Sequence, residues 1–244
     1  MIDKDVHKQH ISKKFNAEMD ELKSHVLEMG GLVEQQVQKA ITSLIDADTQ
    51  LAESVRFSDR EINSMELLID EECARILALR QPAASDLRLV IAVSKATTDL
   101  ERIGDEASKV ALQAIELTEQ GESPKGYIEI RHIGESVRKM VGDALDAFAR
   151  FDGDAALQVV KNDKNVDREY GTAMRELVTY MMEDPRSISR VLNIMWALRS
   201  LERIGDHARN IAEYVIYLTH GKDIRHRSVK KIAEHLSPEN KARE

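Results

Sequence analysis

The hexad Leu100-Glu101-Arg102-Ile103-Gly104-Asp105 recurs as Leu201-Glu202-Arg203-Ile204-Gly205-Asp206, 101 residues further along the chain. In each copy two carboxylates stand four residues apart. On a helix that spacing places them on one face, a turn apart. Two features of the hexad oppose helix stability. Like charges at this spacing cost roughly 0.2–0.5 kcal/mol, and a glycine inside a helix costs roughly 0.8–1.0 kcal/mol relative to alanine. Paired carboxylates beside a small residue suit a hard divalent cation, Mg²⁺, Mn²⁺ or Ca²⁺, and also iron. Two carboxylates per helix leave a coordination shell incomplete, and Asp59, Asp163 and Asp167 are the further candidates. Asp163 and Asp167 repeat the four-residue spacing, whereas Asp59 is followed by Asn63, so the first copy is one carboxylate poorer. The competing reading is structural. Arg102 and Arg203, or other basic neighbours, neutralise the acids, and the glycines let helices pack closely. Lys109, four residues after Asp105, is a ready ion-pair partner in the first copy, and Asn210 stands at that place in the second.

The elements that position these residues read as helices. Val93, Ala96, Leu100, Ile103, Ala107, Val110 and Ala111 recur at helical spacing and form one apolar stripe. Glu101 and Asp105 lie off that stripe, bordered by the small residues Thr97, Gly104 and Ser108. In the second copy Leu198 and Arg209 replace the threonine and serine, so that face is less open. A first helix is predicted from about Phe15 to Ala47, and Asp48 or Thr49 can cap the second, which stops near Pro82. A third runs from about Ser85 to Glu119. The run Gly121-Glu122-Ser123-Pro124-Lys125-Gly126 is the clearest linker. Helices then follow over about Ile128–Phe151, from the Asp152-Gly153-Asp154 turn to Met182, and over Ile188–Thr219, with Gly221 as a stop. Val55, Asp59 and Ile62 match Val159, Asp163 and Val166. The expected fold is therefore all-α, two tandem three-helix bundles related by internal duplication. Residues 1–120 form the first bundle with its N-terminal tail, 121–126 the linker, 127–221 the second bundle and 222–244 a tail.

Composition narrows the function classes. Of 244 residues, 42% are hydrophobic, 32% charged and only 4% aromatic, which favours a folded, helical chain. A net charge of −8 argues against general nucleic-acid binding. The tail is the exception, with seven Lys/Arg against four Asp/Glu over residues 222–244, a solvated segment or a dock for an acidic partner. A lone cysteine, Cys73, excludes an internal disulfide, suits a reducing compartment and sits on an apolar helix face. No signal peptide or membrane-spanning run is visible, so any membrane role goes through partners. No Glu-x-x-His pair supports a di-iron bundle, because His207 directly follows Asp206 and points elsewhere. No phosphate-binding glycine loop or nucleophile motif is found either, so catalysis has no positive support. Trp196 reads as core or partner surface.

The run Arg80-Gln81-Pro82-Ala83-Ala84-Ser85-Asp86-Leu87-Arg88, the stretch Asp99–Asp105 and the block Leu201–Leu218 resemble the PhoU family. The resemblance extends from about Phe15 to Gly221. It implies a cytoplasmic, non-enzymatic protein that restrains phosphate uptake and represses phosphate-starvation signalling. It further implies an adaptor between the ATP-binding subunit of a phosphate ABC transporter and a sensor histidine kinase, often as a homodimer. In some members the family's acidic motifs bind metal clusters, which makes Glu101, Asp105, Glu202 and Asp206 the expected ligands of Mg, Mn or Fe. Arg88, Asp99, Arg102 and Arg203 are expected on the interaction surface. The rival expectations are a metal-dependent hydrolase or oxidase, and a helical scaffold with no site.

Overall fold

A computed structural model describes residues 4–121 and 128–221. Helix α1 spans Lys4–Asp46, α2 Thr49–Arg80, α3 Ala84–Glu119, α4 Ile128–Arg150, α5 Gly153–Glu183 and α6 Ile188–His220. A 3-10 turn, Pro185–Ser187, precedes α6, and the described residues contain no strand. Helix α1 begins earlier than Phe15, because no proline or glycine interrupts residues 4–14. The linker beyond Gly121 and the basic tail lie outside the described residues.

Local chemistry sets the ends of the helices. Asp48 caps α2 by accepting from the Leu51 amide at 2.9 Å. Asp152 caps α5 in the same way, accepting from the Asp154 and Ala155 amides. Gly221 closes α6 in the left-handed region, φ 67°, with its amide donating to Tyr217 O.

Successive helices run antiparallel. Gln36 of α1 meets Val55 and Asp59 of α2, while Glu18, nearer the start of α1, is held by Arg80 at the end of α2 through two hydrogen bonds of 2.8 Å. Helices α1–α3 form one bundle and α4–α6 the other. The two long helices α3 and α6 make the most extensive helix–helix interface. Asp99 lies beside His207, Asn210 and Tyr214, and Glu106 beside Arg203, so α3 and α6 are antiparallel as well. One hydrophobic core runs through both bundles, and the stripe Val93–Ala111 is buried within it. Core burial of this kind, more than propensity, holds long amphipathic helices in place.

Candidate carboxylate cation sites

In the first bundle Asp59 and Glu66 of α2 face Glu101 and Asp105 of α3. Asp59 Oδ1 accepts from Gln36 Nε2 and from Ser108 Oγ, both at 3.2 Å. Burial, then the charge of Asp105, then those of Glu66 and Asp59, raise the Glu101 carboxyl. Burial and Asp59 raise Asp105, against a lowering by Lys109. Burial and the charges of Asp70 and Asp105 raise Glu66. Sequence reasoning missed Glu66. Its signal was present: it lies seven residues after Asp59, two turns along the same face.

Lys109 does not pair with Asp105 as expected. Its Nζ lies 3.0 Å from Glu106 Oε1, because the adjacent buried carboxylate is the nearer partner. Among the described residues Glu66, Glu101 and Asp105 have no lysine or arginine ion-pair partner. Two further oxygens go unpaired here. Gln36 is 2% exposed, and its Oε1 accepts no hydrogen bond. A Cβ on Gly104 would lie 3.0 Å from that oxygen, so the amide presses on the turn between Glu101 and Asp105. Asn63 Oδ1, four residues after Asp59, is buried without a donor too. Buried acceptors are rarely left unpaired. Hard carbonyl and carboxylate oxygens are the donor set of Mg²⁺ or Mn²⁺, so the residue types suit such an ion, although no three carboxylates of this cluster bring their oxygens within 4.8 Å of one another.

In the second bundle Asp163 and Asp167 of α5 meet Glu202 and Asp206 of α6. One oxygen each from Asp163, Asp167 and Asp206 comes within 4.8 Å of the others. Here two of the four acids, Asp163 and Glu202, are paired with arginines. Arg209 Nη1 lies 3.0 Å from Asp163 Oδ2, and Arg199 Nη1 lies 2.9 Å from Glu202 Oε2. Burial still pushes Asp163 up to about 6, with Arg209 opposing it. Burial is also the first cause of the raised Glu202 and Asp206 carboxyls.

The residues expected on an interaction surface divide. Arg102 is exposed. Arg203 is half-exposed and reaches across the seam, its Nε 2.9 Å from Glu106. Arg88 is half-buried, with Nε turned inward. Asp99 is not on the surface. It is 5% exposed and accepts from His207, Asn210 and Tyr214 of α6, partners that its own helix could not reveal. Thr97 is wholly buried, its hydroxyl donating to Val93 O. Trp196 is 56% exposed, which leaves the surface half of its two readings.

These features define a class: a duplicated three-helix-bundle protein carrying one carboxylate cluster per repeat. The chain belongs to the PhoU family, whose domain matches residues 26–114 and again 130–215. It is 67% identical over 236 residues to a Pseudomonas aeruginosa protein named phosphate-specific transport system accessory protein PhoU homolog, covering 97% of this chain and 98% of that one. The crystal structure of PhoU from Pseudomonas aeruginosa superposes with a TM-score of 0.84 at 71% identity, over 85% of this chain and 100% of that one. The phosphate transport system regulatory protein PhoU from Streptococcus pneumoniae gives 0.79 at 31% identity, over 86% and 98%. As a member of this family of accessory proteins, the chain is not an enzyme.

Proposed function

We propose that the chain regulates phosphate transport as an adaptor, binding the ATP-binding subunit of a phosphate ABC transporter and a sensor histidine kinase. The observation that carries this reading is the near full-length match to a protein named for accessory action in phosphate-specific transport. When phosphate is plentiful the adaptor restrains uptake and holds the starvation response off. It works in the cytoplasm, as a homodimer. No described helix is long and apolar enough to cross a membrane, in keeping with a protein that meets membranes through its partners.

Low aromatic content suits an interface that forms and releases, because aromatic anchors dominate tight ones. The signal passes as a shift between bound states, with no chemistry on this chain. The first carboxylate cluster holds a divalent cation through Asp59, Glu101 and Asp105, with Gln36 and Asn63 supplying carbonyl oxygens. Neutralising these acids fixes the facing surfaces of α2 and α3, which the adaptor presents to partners together with Arg102.

A deletion strain carrying a phosphate-starvation reporter tests this function. The intact chain restores repression in phosphate-rich medium, and a folded Glu101→Ala/Asp105→Ala variant does not. Normal repression in the deletion strain itself would remove the regulatory reading.

A further inference from the structure

The duplication allows the two carboxylate sites to be compared position by position. Asp59 corresponds to Asp163, and Glu101 and Asp105 correspond to Glu202 and Asp206. The surroundings differ in charge. Ser108, which donates to Asp59, corresponds to Arg209, which binds Asp163. Thr98 corresponds to Arg199, which binds Glu202. Against Gly104 the first site sets the Gln36 amide oxygen, whereas against Gly205 the second sets the Val137 and Met140 side chains. In one repeat Glu101 and Asp105 have no direct ion pair, only the more distant charges of Arg102 and Lys109, and the amide oxygens of Gln36 and Asn63 go unpaired. The other has two guanidinium groups and an apolar floor.

Carboxylate oxygens as close as those of Asp163, Asp167 and Asp206 repel one another, which a nearby cation or a bound proton relieves. Arg209 is placed to be that cation. Its Nη1 engages Asp163 at 3.0 Å, and its Nε is anchored to buried Glu213 at 3.1 Å. A guanidinium cannot shed its proton in a protein, so this charge is permanent.

We propose that Arg209 is the resident cation of the second site and excludes divalent metal from it, so that each chain loads one ion, in the first repeat. The inference rests on reading the first cluster as a cation site. A divalent ion entering the second site must share Asp163 with a fixed positive charge or displace Arg209 from both carboxylates. Either course weakens binding there by about a hundredfold or more. The duplication has kept the acidic frame twice and filled it in two ways, once with side-chain charge and once for an exchangeable ion.

The test uses the full-length chain, stripped of metal with a chelator and titrated with Mn²⁺, with free Mn²⁺ read by electron paramagnetic resonance. Wild type is expected to bind one ion, lost in an Asp59→Asn/Glu101→Gln double variant. Arg209→Gln is expected to bind two, the second lost again when Asp206→Asn is added. Arg209→Lys keeps the charge and stays at one. In the otherwise unchanged chain Asp167→Asn, at an exposed position, leaves the count at one, which decides the matter if Arg209→Gln does not fold. Two ions in wild type, one in folded Arg209→Gln, or loss of the wild-type ion in Asp167→Asn overturns the role of Arg209 and leaves cation binding by this protein standing. No ion in wild type and one in Arg209→Gln upholds Arg209 as the excluding cation and overturns the first-site reading. No ion in either overturns both.

Discussion

His207 Nδ1 donates to Asp99 Oδ1 at 2.7 Å across the seam between the two repeats, with both residues almost wholly buried. The pairing has no copy. Ser200 stands where the duplication would repeat Asp99, and Glu106 where it would repeat His207. Glu106 instead takes Arg203 across the same seam. The halves are joined by two different polar contacts, which give α3 and α6 a single register.

Asp99→Ala would leave His207, Asn210 and Tyr214 without their shared acceptor. Losing a buried charged acceptor that serves several donors costs about 3–5 kcal/mol. Urea denaturation of wild type and variant measures this. A loss below about 0.5 kcal/mol would mean that the network relaxes freely.

Gly104 and Gly205 occupy the same place in the two hexads, yet alanine should act differently at each. At Gly205 a new Cβ would sit 3.6 Å from Val137, ordinary contact, so the helix-propensity gain of about 0.8–1.0 kcal/mol is available. At Gly104 it would meet Gln36 Oε1 at 3.0 Å and Ile62 at 3.2 Å, and Gln36 is held by hydrogen bonds to Val55 O and Asp59. Gly205→Ala is expected to raise the melting temperature and Gly104→Ala to lower it. The reverse order would contradict the packing described.

Much of this architecture was legible in the sequence. The apolar stripe Val93–Ala111, the doubled hexad and the Asp48 cap are local patterns found where they were expected, and the expected turn at Asp152 supplies a second cap. Asp99 was misjudged because its three partners lie more than a hundred residues away on α6. Arg209 was visible as a bulkier substitute for Ser108, but its bond to Asp163 depends on how α5 meets α6. Glu66 was open to helical periodicity, two turns after Asp59, whereas Asp59 was found through its repeat counterpart Asp163. Glu66 was passed over because it has no acidic counterpart in the second repeat, where Tyr170 stands. Local pattern reveals elements and duplication, whereas charge pairing is decided by tertiary contact.

Asp163 has a folded-state value near 6, above the ordinary 3.8. Between those two values the folded chain holds more protons than the unfolded one, so this group makes stability fall as pH rises through that window. Asp163→Asn removes the titration. Its stability relative to wild type is therefore expected to increase from about pH 4 to about pH 7, as read from melts at both. A difference independent of pH would contradict the burial assigned to Asp163.

Cys73 is 3% exposed, and burial pushes its thiol up to about 12. A thiol that is neither ionised nor accessible is a poor nucleophile. It should resist a water-soluble disulfide reagent in the native state and react at once in denaturant. Rapid native-state labelling would show that the α2–α3 contact opens.

The adaptor account is tested most directly by capture from membranes of phosphate-replete cells. Tagged wild type is compared with a Glu101→Ala/Asp105→Ala/Glu202→Ala/Asp206→Ala variant that circular dichroism shows to be folded. The account predicts that wild type retains both the transporter's ATP-binding subunit and a sensor histidine kinase, and that the variant retains less of each. Wild type that captures neither would contradict it.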